Sequence, residues 1–320
     1  MNYKTISELN RDILAWIPEL PRDINVIVGI PRSGLLVANI LGLHLNLPIT
    51  DIDGLIDGKL LSSGRRPLKE RNQLVKGSKI LVVDDSVHSG YQMSKVQEKI
   101  RKRDLPYRIS YGAVYALSNS IDKTDIFKEV LPMPRIFEWN LFHHGIMKSS
   151  CVDIDGVLCR DPSKEENDDG HKYRQFILNV APNIIPTRKI GWLVTCRLEK
   201  YRELTEQWLS KNNILYDNLV MMDYNTREER IRAGNHGKYK ANVYKKVKAK
   251  LFIESSRGQA NEIAKISGKP VVCYQGDSKI IYPNRLSILK KQTRNYSKQF
   301  LNSPIGFAKR GFKKLNRELR

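Results

Sequence analysis

Two acidic pairs stand out as residues that could do chemistry. Asp84 and Asp85 are adjacent, and Asp153 and Asp155 are one residue apart. Adjacent carboxylates can grip the vicinal hydroxyls of a sugar or a hydrated Mg²⁺ ion. Asp84 and Asp85 follow four apolar residues, Ile80–Val83, and precede a small, hydroxyl-rich run, Ser86, Val87, His88, Ser89 and Gly90. An apolar run without polar alternation predicts a buried parallel strand that ends at the two aspartates. Met93–Arg103 has helical spacing. A strand–loop–helix join presents free backbone N–H groups at the helix N-terminus, where a phosphate is favoured. One unit therefore offers a phosphate cradle beside a sugar clamp.

The elements that must position this unit lie upstream. Ser7–Trp16 reads as a helix with Leu9, Ile13, Leu14 and Ile17 on its apolar side. Asn25–Ile30 reads as a short strand running into Pro31, Arg32, Ser33 and Gly34, with a helical stretch after them. The two strand–loop–helix units together, GIPRSG and ILVVDDSVHSG, resemble the pyrophosphate loop and the phosphoribosyl pyrophosphate (PRPP) motif of type I phosphoribosyltransferases. That resemblance implies a PRPP site built from Arg32, Ser33, Gly34, Asp84, Asp85 and Ser86–Gly90, with Mg²⁺ held near Asp84 and Asp85. It also implies a mobile lid in the Gly/Ser-rich stretch 51–76, from which Lys59, Arg65 or Arg66 would meet the leaving pyrophosphate; a solvated basic loop is the equal reading for each of these cations. His88 stands where some purine transferases carry an acidic base. It reads either as the base that accepts the acceptor's proton or as a loop hydrogen-bonder. Glu138, Trp139 and Asn140 close this half. An aromatic beside polar groups suits a sugar ring as the acceptor, and equally a packed, domain-closing aromatic.

The second half begins with a strand ending in Asp153-Ile154-Asp155-Gly156. This resembles the first motif of haloacid dehalogenase (HAD) phosphatases. On an extended strand end, residues i and i+2 project to the same side. The resemblance implies that Asp153 attacks phosphorus and Asp155 protonates the leaving oxygen. It further implies that the Asp153 carboxylate and the Asp155 carbonyl hold Mg²⁺. Further motifs follow in order. Gly191–Thr195 is an apolar strand ending in a hydroxyl that would bond the phosphoryl group, and Arg197 would meet the same anion. Lys240 matches the third-motif lysine, with Lys238 as the competing assignment. Leu251–Glu254 resembles the last motif, with Glu254 as a metal ligand where that family has aspartate. The stretch between Leu158 and Arg188 is too short for a large cap, which implies an open site. Asp168 and Asp169 within it read as solvated loop residues.

Composition bounds the rest. The chain has 320 residues, enough for two ordinary domains, and its formal charge is +21. Residues 284–320 hold 11 Lys/Arg and one Glu, so about half of the excess sits in a tail. Leu286–Arg320 mixes these cations with spaced Ile, Leu and Phe. This pattern suggests an amphipathic segment on anionic lipid. A docked helix with a basic outer face is the rival reading, and nucleic acid the weakest, because no aromatic stacking platform accompanies the charge. The four scattered cysteines contain no CxxC pair and read as reduced cytosolic thiols. The polar N-terminus carries no signal peptide, and no apolar run reaches the roughly 20 residues of a membrane span.

The expected fold is α/β: two Rossmann-like parallel-sheet domains in tandem, 1–148 and 149–283, with a basic tail at 284–320. The expected function is a bifunctional enzyme that uses Mg²⁺ at both sites. It transfers 5-phosphoribosyl from PRPP to a glycan acceptor, lipid-linked or free, and then removes the 5-phosphate to leave β-ribofuranose. This matches a resemblance to bacterial polysaccharide ribofuranosyltransferases. Its setting would be the cytoplasm, at the inner face of the membrane. The alternative is a nucleobase transferase fused to a nucleotidase, whose weakness is that the second half would destroy the product of the first. A third reading, a PRPP-sensing regulator acting on nucleic acid, sits poorly with complete catalytic motifs in both halves.

Overall fold

The computed structural model describes residues 1–61, 74–276 and 278–283. The described residues divide into two compact units, the first comprising Asn2 and Lys4–Arg135, the second Met1, Tyr3 and the described residues from Ile136 to Pro283. The boundary falls earlier than the expected 148. The cause is packing: Leu141, Phe142 and Met147, on two short 3₁₀ turns, are buried in the core of the second unit. The tail and the lid cations Arg65 and Arg66 lie outside the described residues.

In the first unit, helix α1 (Ile6–Trp16) starts at a capping box in which Thr5 and Glu8 exchange backbone and side-chain hydrogen bonds at 3.0 Å. It buries Leu9, Ile13 and Trp16, while Leu14 remains 38% exposed. Strand β1 (Val26–Gly29) is wholly buried and leads into α2 (Ser33–Leu45). Next come β2 (Ile49–Asp51), the short α3 (Ile52–Ile56) and β3 (Lys79–Val87). Helix α4 (Tyr91–Arg101), β4 (Arg108–Ala116) and β5 (Ile126–Val130) complete the unit. The five strands are all parallel, in the order β2-β1-β3-β4-β5. The chain leaves β1 toward β2 on one side and returns to β3 on the other. That reversal opens a crevice at the carboxyl ends of β1 and β3, where open α/β sheets bind ligands. Strand β3 does not stop at Val83 as the apolar run suggests. Its pairing with β4 continues through Asp84, Ser86 and Val87, so the acidic pair lies inside the strand.

The second unit repeats the layout. Its elements are β6 (Ser150–Val152), α5 (His171–Asn179), β7 (Ile190–Leu198), α6 (Arg202–Lys211) and β8 (Tyr216–Met222). They continue with α7 (Arg227–Ala233), α8 (His236–Lys246), β9 (Leu251–Glu254), α9 (Arg257–Ser267), β10 (Val271–Cys273) and β11 (Lys279–Ile281). The sheet order is β8-β7-β6-β9-β10-β11, with only β11 antiparallel. Again the direction of winding reverses, here between β6 and β9. The interior strands are continuous apolar runs because both of their faces are covered by helices.

Candidate functional sites

In the first unit the crevice between β1 and β3 holds the residues singled out by sequence. Ser33, at the start of α2, donates its hydroxyl to Asp85 Oδ1 at 2.8 Å and so ties the first loop to the acidic pair. Gly34 permits this approach: a Cβ there would stand 2.5 Å from the Val83 carbonyl oxygen. The Pro31–Arg32 peptide bond is cis. Asp84 and Asp85 are 8% and 5% exposed, and Asp84 Oδ1 accepts the Asp85 N–H at 2.9 Å. Burial and the neighbouring Asp85 charge hold the Asp84 carboxyl well above its ordinary range.

Ser89 Oγ accepts the Tyr91 N–H at 3.4 Å, at the head of α4, and Gly90 is the N-cap of that helix. Arg32 and His88 are exposed, and Lys59 donates to Asp57 at 3.3 Å. Sequence reasoning missed Arg135. It is 5% exposed, burial lowers its pKa, and the Asp85 charge opposes that shift. It stands alone in the sequence, 50 positions from the pair, so no spacing signalled it. The expected acceptor residues Glu138, Trp139 and Asn140 fall in the second unit, where Trp139 stacks on Phe137 at 4.8 Å and 19°.

The second unit gathers its charged residues around the ends of β6, β7 and β9. Asp153 follows β6 and is positioned by its N–H, which donates to the Ile253 carbonyl at 3.0 Å. Lys240 Nζ donates to Asp153 Oδ2 at 2.5 Å and to Glu254 Oε2 at 2.7 Å. All three side chains are almost completely buried. Helix α8 turns Lys240, with Gly237, Ala241 and Tyr244, inward, while Lys238 is exposed. Lys240 is therefore the lysine that reaches the carboxylates. Glu254 Oε1 accepts the N–H groups of Ser255 and Ser256 at 3.0 and 3.1 Å. The two serines of this motif thus anchor the glutamate through their backbones. Burial, with Glu254 and Asp155 nearby, pushes the Asp153 carboxyl up to about 8 against the pull of Lys240, whose own pKa is raised by the two carboxylates.

Asp155 and Arg197 have a different relation from the one expected. Arg197 is fully buried, and its guanidinium grips the Asp155 carboxylate through Nη2 at 2.6 Å and Nε at 3.1 Å. It also touches Thr205 and Cys159 and lies over the Trp208 ring. Arg197 is absent from the lining of the cavity above Asp153, about 250 Å³ in volume, and Arg230 of α7 lines it instead. The strand alternation that puts Arg197 on the Thr195 side holds. Its length carries the guanidinium to Asp155 rather than to the cavity. Thr195 lines the cavity and accepts the Arg197 N–H on its hydroxyl at 3.2 Å. Gly156 adopts φ 81°, and a Cβ there would stand 2.2 Å from Ser255 Oγ. Asp169 is no solvated loop residue. It accepts from Lys200 and Tyr201 at 2.8 Å and from the Arg227 N–H at 3.0 Å, joining the loop to β7 and α7.

Among the described residues no group of three or more His, Cys, Asp and Glu side chains is arranged to hold a metal ion. The expected set Asp153, Asp155 and Glu254 is divided by its cations: Lys240 lies between two of its members, and Arg197 takes the third. The donor chemistry still fits Mg²⁺. Asp153, Asp155, Asp161 and Glu254 supply hard oxygens around one cavity, and burial and the Asp155 and Glu254 charges raise the Asp161 pKa. The residues that would hold Mg²⁺ there are Asp153, Glu254 and the main-chain carbonyl of Asp155. In the first unit, the raised Asp84 beside Asp85 is a pair that a cation would relieve.

Residues 2–146 match the phosphoribosyl transferase domain family. No curated protein matches the chain. Among solved structures, the Helicobacter pylori xanthine-guanine-hypoxanthine phosphoribosyltransferase is 18% identical, covers 44% of this chain and 92% of its own, and superposes with a TM-score of 0.34. A purine phosphoribosyltransferase from Pyrococcus horikoshii is 22% identical over 43% of this chain and 92% of its own, with a TM-score of 0.33. On the family match, residues 2–146 carry a type I phosphoribosyltransferase domain. The matched stretch runs past the compact first unit, which ends at Arg135.

Proposed function

We propose that the second unit is a phosphomonoesterase of the HAD type, and that the chain transfers 5-phosphoribosyl to a glycan hydroxyl and then removes the 5-phosphate. The observation that carries this reading is the buried Asp153–Lys240–Glu254 bridge, at 2.5 and 2.7 Å, on the floor of a cavity also lined by Thr195. Such a bridge fixes the Asp153 carboxylate at the cavity, with Oδ1 on the Ile154 N–H and Oδ2 on an ammonium held beside it.

In the first step, the acceptor oxygen attacks C1 of PRPP as the C1–pyrophosphate bond breaks, with inversion from α to β. In this reading Arg32 and Lys59 meet the leaving pyrophosphate, and His88 takes the acceptor's proton. In the second step, Asp153 attacks phosphorus, the bond from phosphorus to the sugar oxygen breaks, and Asp155 supplies the proton to that oxygen. Water then attacks the aspartyl-phosphate, returning its proton to Asp155 and releasing phosphate. Lys240 neutralises the phosphorylated Asp153, Thr195 bonds the phosphoryl oxygens, and Arg197 fixes Asp155. Mg²⁺, when bound, offsets the charge of pyrophosphate in one site and of the phosphoryl group in the other.

Hydrolysis after transfer gives the two units a common purpose, because it makes installation of the sugar irreversible. Residues 286–320, basic with spaced apolar anchors, support a lipid-linked acceptor at the cytoplasmic face of a membrane. Among the described residues no helix is long and apolar enough to cross one.

The test uses Asp153→Asn protein with PRPP, Mg²⁺ and a lipid-linked glycan extract, read by mass spectrometry. A gain of one phosphopentose, trimmed to pentose by added wild type, is expected. Asp84→Asn with Asp85→Asn should abolish the gain and spare phosphomonoester cleavage. PRPP consumed with nucleobases, and no glycan product, would overturn the glycan acceptor.

A further inference from the structure

Three of the residues lining the Asp153 cavity carry a buried polar atom without a hydrogen-bond partner. They are Arg230 at Nε, His236 at Nε2 and Gln259 at Oε1. Buried polar atoms are almost always paired, so a cluster of orphans around one cavity needs an account. Their other bonds show that they are held in place. Arg230 Nη1 donates to the Cys196 carbonyl at 2.9 Å. His236 opens α8, one turn before Lys240 and on the same face. Gln259 stands in the first turn of α9, where its N–H donates to the Ser256 cap. None of the three belongs to the residues assigned above to bond breaking.

The orphans differ in kind. Arg230 Nε–H can only donate, and Gln259 Oε1 can only accept. The imidazole does one or the other according to tautomer, and its pKa is lowered by burial and by the Arg230 and Lys240 charges, which favours the neutral ring. A fully ionised phosphoryl group offers acceptors only and cannot satisfy Gln259 Oε1. A hydroxyl both donates and accepts. The cavity, at about 250 Å³, is below the roughly 300–1,000 Å³ of sites that enclose drug-sized ligands, so it takes a phosphate and the group next to it.

The geometry points to Arg230, His236 and Gln259 as a leaving-group subsite that selects a hydroxyl-bearing phosphomonoester, a sugar phosphate, over one whose leaving group has no hydroxyls. This rests on reading the second unit as a phosphomonoesterase and adds the class of its substrate. A site whose buried polar groups would be left unpaired by the wrong ligand rejects it strongly.

The experiment compares kcat/KM for ribose 5-phosphate and p-nitrophenyl phosphate in the full chain with Mg²⁺, for wild type, Gln259→Leu and His236→Phe. Because leaving-group reactivity enters that ratio equally in wild type and variant, the change in the ratio between them reports the subsite. It should fall about tenfold in each variant, as expected for loss of one buried hydrogen bond to a hydroxyl. An unchanged ratio in both variants, including a uniform loss on both substrates, overturns the subsite. If wild type cleaves neither ester, the phosphomonoesterase reading fails by itself. The subsite is then decided by calorimetric binding of ribose 5-phosphate. Weaker binding by Gln259→Leu than by wild type, with inorganic phosphate binding less affected, supports it, and no binding to wild type overturns it.

Discussion

The two units place acidic pairs at the same point of a parallel sheet and treat the charge in opposite ways. In the second unit each carboxylate has a buried cation within hydrogen-bond distance: Lys240 for Asp153 and Glu254, Arg197 for Asp155. In the first, Asp84 accepts a backbone N–H, Asp85 accepts a serine hydroxyl and acts on the buried Arg135 by charge, and the loop cation Arg32 and the Lys59 of the neighbouring stretch are exposed. A site that forms a covalent bond to its own carboxylate, as proposed for the second unit, needs that group fixed before substrate arrives. A site for a metal-chelated diphosphate, as proposed for the first, gains from a carboxylate such as Asp84 whose charge burial disfavours, because a bound cation would supply the relief.

The comparison breaks most readily at Lys240. Replacing it with Met removes the shared ammonium and leaves Asp153 and Glu254 buried together without a counter-charge. Breaking a buried ion pair from one side costs about 3–5 kcal/mol. Urea unfolding should register a loss of that order, and adding Glu254→Gln to Lys240→Met should recover part of it. If Lys240→Met unfolds at the wild-type midpoint, the second site is not held by its own cation and the contrast between the units fails.

A smaller effect is expected at Arg197. Arg197→Lys keeps the charge and loses the fork that grips Asp155 on two sides. Stability should fall by about 1–3 kcal/mol for the donors and acceptors left unpaired. Turnover of a small phosphomonoester should fall while its KM holds, because Arg197 positions Asp155 and does not line the cavity. A rise in KM with kcat unchanged would mean that Arg197 reaches the phosphate after all.

How much of this was legible in the sequence follows from distance along the chain. The aspartate pairs, Thr195 and the strands before them were readable because each chemistry-bearing residue directly extends an apolar run. The limits of those runs misled in one respect: β3 carries its pairing past Val83, since Asp84, Ser86 and Val87 take part in the ladder with β4 through their backbones whatever their side chains do. Residues that enter from other elements left no trace. Arg135, Arg230, His236 and Gln259 are isolated in sequence, and only the packing of α7, α8 and α9 brings the last three to one cavity. Arg197 was readable by position and not by partner, because a long side chain can reach either the cavity or its neighbour Asp155. The choice between Lys238 and Lys240 depended on which side of α8 faces the sheet. Tyr244, at i+4 from Lys240, marks that face in retrospect.

The smallest predicted effect is also the sharpest test of the contrast, because its sign is opposite to that of an ordinary active-site lesion. Burial and Asp85 raise the Asp84 pKa in the folded state above the usual carboxylate value of about 3.9. Below that value both the folded and the unfolded chain hold the proton, and the group contributes no difference. As pH rises past it, the unfolded chain gives up the proton while the folded one retains it. Stability therefore declines until the folded-state pKa is passed, and the full penalty remains at higher pH. Asp84→Asn removes the titration and keeps the Oδ1 that accepts the Asp85 N–H. Without ligands, the variant should melt above wild type at pH 7, and the gap should close toward pH 4. Adding Mg²⁺ and PRPP should raise the wild-type midpoint more than that of the variant, since only wild type has the Asp84 carboxylate for a bound cation to meet. A variant that melts below wild type at pH 7 would mean that the acidic pair is already compensated within the fold, as the carboxylates of the second unit are.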